Sequence, residues 1–306
     1  MIVLSWSALG VSLGAAILFA SLALCRTIDR TYLSFAGMMA FLAAFMLFST
    51  HLYRAHSVDA ATEAMRWQTA ASHGFVACAL VFLPAYTHVR LSRRVLAGLF
   101  GILAVFVCAN LIARYGIWFA GPPTLVRERF LGEPYTMFPA QPVSGLRIAY
   151  GAYMLALHVG ALVLVARLYR RGETQRAMAL AISVMIIIAA NVADVIGDAR
   201  DAAWPYVTEF GLVALGIIMS IELAREFRQK TEILAEAIDE VTHQAQQLTS
   251  ILGALRTLED SMLASMTTLE AGMARLRARS GESANLERLG RAVSRLREVS
   301  SAMAQG

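Results

Sequence analysis

Apolar runs of about twenty residues, separated by short charged joints, recur along the chain over 3–24, 32–50, 68–88, 95–114, 147–167, 177–196 and 204–224. A helix rising 1.5 Å per residue crosses a hydrocarbon core of about 30 Å in roughly this length. The pattern predicts an all-α membrane protein: a seven-transmembrane helix bundle, then a cytoplasmic coiled coil and a helical hairpin. The domains read as 1–224 (bundle), 225–254 (coiled coil) and 255–306 (hairpin).

The last run carries the rest. WPYVTEFGLVALGIIMSIEL, Trp204–Leu223, passes into AREFRQKTEILAEAIDEV with no Gly or Pro between, so the helix is predicted to continue out of the bilayer. From there an apolar residue recurs every seven: Phe227, Leu234, Val241, Leu248, Leu255, Met262, Leu269 and Leu276. Four residues after each comes a second seam of Thr231, Ile238, Ala245, Leu252, Glu259, Met266 and Met273. A strict period of seven selects a left-handed supercoil with a partner helix. The same segment of a second copy is the expected partner, with Phe227, Leu234, Ile238, Val241, Leu248, Leu252 and Leu255 as the path of a signal. After a break at RARSGESAN, Leu286, Leu289, Val293, Leu296, Val299 and Met303 mark a second, shorter helix.

Composition sharpens the class. The chain is 58% hydrophobic and 16% charged, with mean hydropathy +0.57, far from soluble usage. Its net charge of +5 does not point to nucleic acid, because the basic residues sit in joints between spans. Arg26 and Arg30, Arg90, Arg93 and Arg94, Arg167, Arg170, Arg171 and Arg176, and Arg225, Arg228 and Lys230 crowd one side. The positive-inside rule then places the N-terminus outside and the C-terminus in the cytoplasm, and near-exclusive use of Arg in an Ala-rich chain hints at a bacterial inner membrane. Lys230 is the single lysine among 27 basic residues, so no lysine within a span is available for a retinal Schiff base. Cys25, Cys78 and Cys108 fall in or beside spans and form no disulfide framework or CxxC motif. The first span lacks a basic leader and a cleavage motif and reads as a retained anchor.

The longest joint, 115–146, holds Pro122, Pro123, Pro134, Pro139 and Pro142 with several aromatics. It reads either as a ligand-contact lid or as a connector lying on the headgroups.

Polar groups inside spans are the candidate chemistry, since an ionisable side chain in hydrocarbon is costly. Asn191, Asp194 and Asp198 share one face of the sixth span. Glu209 lies one turn into the seventh, His73 one turn into the third, and His158 near the middle of the fifth. His73, His158, Asn191, Asp194, Glu209, Tyr206 and Trp118 are the candidate ligand-binding residues of an outward-facing pocket, although the acids serve equally well as packing specifiers. His51, His56 and His73 with Asp194 match no metal motif, and neither a metal nor a cofactor is expected.

The runs NVADVIGD, Asn191–Asp198, and WPYVTEFG, Trp204–Gly211, followed by Ile218, Met219 and Ser220, resemble the last two spans of the seven-transmembrane N-terminal sensor region of bacterial histidine kinases. Residues 250–304 are similar to the dimerisation and phosphotransfer bundle of those kinases. In place of the phosphoacceptor His, however, this chain has LRTLEDSML, Leu255–Leu263, and His243 is followed by Gln-Ala-Gln. No ATP-binding kinase motif, P-loop or HExxH occurs in the sequence. The resemblance implies a ligand-sensing role in a two-component-type pathway, and the missing motifs leave no catalysis expected on this chain. Its partners would be a second copy, a small-molecule or lipid ligand, and a cytoplasmic kinase, cyclase or transcription regulator. A small transporter or channel with an oligomerisation stalk, and a membrane scaffold, are the alternatives.

Overall fold

A computed structural model describes residues 2–25, 29–130, 132–139, 142–199, 206–280, 288, 290–295 and 297–298, without the side chains at 25, 198, 199, 276, 277, 279 and 280. The helices are α1 (Ile2–Cys25), α2 (Arg30–Arg54), α3 (Val58–Tyr86), α4 (Arg93–Ile112), α5 (Gly145–Arg170), α6 (Thr174–Ala199) and α7 (Val207–Ser280). All seven are long and apolar enough to cross a membrane, and the chain is a multi-pass membrane protein. Helix α3 begins well ahead of the predicted residue 68. Ser57 caps it by accepting from the Ala60 amide, and Ala61, Ala64 and Met65 bury one face against Leu52, Phe119 and Phe138. Asp59, Glu63 and Arg66 lower the mean hydropathy of that stretch, which is why an apolar window misses it.

Helix α2 is central. Its Phe35, Leu42 and Met46 share a core with Phe19 of α1, Phe82 of α3, Leu180 and Val184 of α6, and Leu215, Met219 and Leu223 of α7. Phe19 meets Phe35 edge-on at 4.9 Å, and Phe82 approaches Phe35 at 5.5 Å. Helices α4 and α5 pack with α3 in a second cluster around Leu103, Phe106, Tyr150 and Tyr153.

Helices α6 and α7 touch through small residues. A Cβ on Gly211 would stand 2.9 Å from Cβ of Ala190, which has no flexible end to move aside. Gly211→Ala therefore sets an overpacking cost of about 1–3 kcal/mol against a helix-propensity gain of about 1 kcal/mol. A net loss of about 1 kcal/mol is expected in unfolding of the micelle-embedded protein, and a gain would mean that α6 gives way freely.

The all-α expectation needs one correction. Within the proline-rich joint, β1 (Val126–Phe130) pairs antiparallel with β2 (Glu133–Met137), Val126 opposite Met137 and Phe130 opposite Glu133. Alternation in VRERF suits a strand with one exposed face, and Gly132 supplies the turn at φ +82. The hairpin packs on the bundle end. Tyr135 meets Tyr53 of α2 edge-on at 5.9 Å, and the Thr136 hydroxyl donates to the Ala55 carbonyl at 2.9 Å. Burial, with the Glu128 carboxylate as second cause, raises the Tyr135 phenol above its ordinary pKa. On the flank, Ser144 caps α5 and donates to the Ile117 carbonyl, while Arg66 donates to the carbonyls of Ala113 (3.0 Å) and Arg114 (2.6 Å).

The chain divides into two compact units, Met1–Phe227 and Arg228–Gly306. Phe227 belongs to the first and meets Tyr32 edge-on at 6.2 Å. In the second unit the seam residues Leu234, Ile238, Val241, Leu248, Leu252 and Leu255 are 51–65% exposed in the single chain. Near the end of α7, Arg297 stands 3.5 Å from Glu270, and Met266 and Val293 are buried. The predicted break at Gly281 and Leu286, Leu289, Leu296, Val299 and Met303 lie outside the described residues.

Candidate functional site

At the end of the bundle that carries the β-hairpin, two polar groups form where the sequence suggests one pocket. The first gathers on α7. Glu209 is 1% exposed and faces Ser49 and Tyr53 of α2 and Gln68 of α3. The Gln68 amide donates to Ser49 Oγ at 2.7 Å and to Glu209 Oε1 at 3.0 Å. Ser49 donates its own proton back to the Phe45 carbonyl at 3.0 Å. The Tyr53 hydroxyl faces the same carboxylate, yet neither it nor Glu209 Oε2 completes a hydrogen bond of normal geometry.

Asp194 does something different. Its two carboxylate oxygens accept from the first amides of α7, Oδ1 from Val207 at 2.6 Å and Oδ2 from Thr208 at 3.0 Å. The Thr208 hydroxyl donates to Asn191 Oδ1 at 3.1 Å. The opening amides of a helix have no partner within it, and a carboxylate placed there also complements the helix dipole. Asp194 and Asn191 thus cap α7 from α6, a cap supplied across space. Tyr206 is half-buried immediately before α7 and within electrostatic reach of Tyr53. Asp198 lies outside the described side chains, as do Trp204 and Pro205 with their backbone.

The second group surrounds His73 between α3 and α5. The buried imidazole packs edge-on to Tyr150 at 5.0 Å, and Tyr150 in turn meets Trp118 at 6.5 Å. Trp118 Nε1 donates to Thr69 at 2.6 Å, and the Arg147 guanidinium lies 5.2 Å from the indole ring centre. The Thr69 carbonyl one turn back faces His73, but neither ring nitrogen makes a hydrogen bond of normal geometry. His158 joins neither group, since its Nδ1 sits 2.7 Å from the Met154 carbonyl of its own helix. Among the described residues no three His, Cys, Asp or Glu side chains converge as a metal site.

Ser49, Tyr53 and Gln68 are partners that sequence reasoning missed. Gln68, at the edge of an apolar window and far from any charged run, was the one readable signal. The opposite end of the bundle holds another cluster that spacing does not reveal. Arg176 of α6 lies 4.6 Å from the Tyr86 ring centre, 2.8 Å from Glu173 and 3.4 Å from Glu226 of α7. It also stands 3.0 Å from His88 Nε2, which must accept because a guanidinium only donates. Gln175 donates to Glu222 of α7 at 3.3 Å. The start of α6 and the end of α3 are thereby tied to α7.

No family model matches the chain, and no curated protein matches it.

Proposed function

We propose that the chain is a homodimeric membrane receptor or regulator, itself non-catalytic, seated in a bacterial inner membrane. It reports the state of the Glu209 group to a cytoplasmic partner through a coiled coil of two α7 helices. The observation that carries this reading is that one helix, Val207–Ser280, bears Glu209 near its start and an exposed apolar seam from Leu234 to Leu255. β-Branched Ile238 on one seam beside Leu234 on the other is the pairing that favours two strands. The outer group supplies an input, the seam supplies an output surface, and the likeness of Asn191–Ser220 to histidine-kinase sensor spans supports a signalling role. A coupling of about 1–3 kcal/mol between input and output changes partner affinity several-fold to about a hundredfold.

Cysteine crosslinking in native membranes tests it, after Cys25, Cys78 and Cys108 are replaced. Single cysteines at Val241, Leu248 and Leu255 are expected to form disulfide-linked dimers, and one at Gln246 is not. A seam that never crosslinks removes the output surface; solute uptake that depends on Glu209 would then favour a transporter.

A further inference from the structure

We propose that Glu209, Tyr53 and Ser49 form a binding site for a monovalent inorganic cation, closed over by the β-hairpin. Both protons of the Gln68 amide are committed, one to Ser49 and one to Glu209 Oε1. The Ser49 proton is spent on the Phe45 carbonyl, so this hydroxyl presents only a lone pair to the carboxylate. Glu209 Oε2 and the Tyr53 oxygen, both enclosed, remain without a completed hydrogen bond. Oxygens of Ser49 and Tyr53 on α2 therefore face the Glu209 carboxylate of α7, with the Tyr53 hydroxyl proton the one donor left uncommitted.

Among the described residues no cationic side chain pairs with the Glu209 carboxylate. The ion pairs among the described residues engage Glu173, Glu226, Glu232 and Glu270, and none reaches Glu209. Asp194 acts on Glu209 as a second acid, and its two oxygens accept from the α7 amides. A carboxylate enclosed in a membrane protein is costly unless paired. Carboxylate and hydroxyl oxygens are hard donors suited to unpolarisable cations. One carboxylate balances one charge, whereas divalent ions draw on more ligands and more acids. The hairpin packs over Tyr53 through the Tyr53–Tyr135 contact and is held there by the Thr136–Ala55 hydrogen bond.

The test uses the full purified chain in detergent at fixed pH. Choline chloride is exchanged stepwise for NaCl, KCl or LiCl at constant chloride while thermal unfolding is followed. A saturable rise in Tm with at least one alkali cation is expected. Glu209→Gln, which keeps shape and hydrogen-bonding capacity, should abolish the rise, and Glu232→Gln on the exposed face of α7 should leave it intact. Tyr53→Phe removes one ligand oxygen and should raise the half-saturating concentration several-fold. Equal melting in choline and all three alkali salts overturns the site and leaves Glu209 as a packing residue. A response that persists in Glu209→Gln also overturns it. If Glu209→Gln fails to fold, an unchanged midpoint in Tyr53→Phe overturns it alone. The cation site does not depend on the tail. A cation response without seam crosslinking sinks only the receptor reading, and crosslinking without a cation response sinks only the site.

Discussion

A chain carrying Leu248→Lys and Leu252→Lys together should run as a monomer where the parent runs as a dimer. Each leucine buried at a helix seam contributes about 1.5–3 kcal/mol, and both copies lose two. The new ammonium groups would also face one another across the seam. A weakening of self-association by at least about 1000-fold, or about 4 kcal/mol, is expected by light scattering of the micelle-embedded protein. Gln246→Lys, away from the seam, should leave the dimer intact. A double variant that stays dimeric would show that copies meet elsewhere, and Leu234–Leu255 would need another occupant.

The second large effect is expected at Asp194. Replacing it with Ala strips the first two amides of α7 of their acceptors in one step. Loss of a cap costs about 0.5–2 kcal/mol, and this carboxylate serves two donors, so about 2 kcal/mol is expected. Hydrogen exchange at Val207 and Thr208 should accelerate by about 30-fold, with a matching fall in unfolding free energy. Asp194→Asn keeps one acceptor and should recover part of the loss. If the amides remain protected in Asp194→Ala, Asn191 or the helix itself suffices, and the cap across space is dispensable.

The positions of the seven spans were legible because hydrophobic length is a one-dimensional property that the bilayer reads directly. The start of α3 was not, since its buried face of Ala61, Ala64 and Met65 is interleaved with Asp59, Glu63 and Arg66. The strands β1 and β2 were hidden behind prolines, although VRERF alternates and Gly132 marks the turn. Among candidate residues, Asn191 and Asp194 are brought together with α7 because three-and-four spacing fixes a helix face. Their role as a cap depends on where a different helix begins. Glu209 is legible as a polar residue in a span, but Ser49, Tyr53 and Gln68 meet it only after three helices pack. His73 and Trp118, grouped with Glu209 by depth alone, belong instead to the neighbourhood of Tyr150. Phe227 continues the heptad in sequence and nevertheless packs on Tyr32 in the bundle, because periodicity cannot tell a core contact from a seam.

The hairpin has a practical consequence for imaging. A 33.2 kDa chain made mostly of helices within a bilayer gives particle alignment few features to grip. Arg127, Arg129 and Pro134 form an exposed ridge on β1 and β2, and Tyr135 and Thr136 fasten those strands to α2. A nanobody raised against that ridge would be held in register with the bundle and serve as a fiducial.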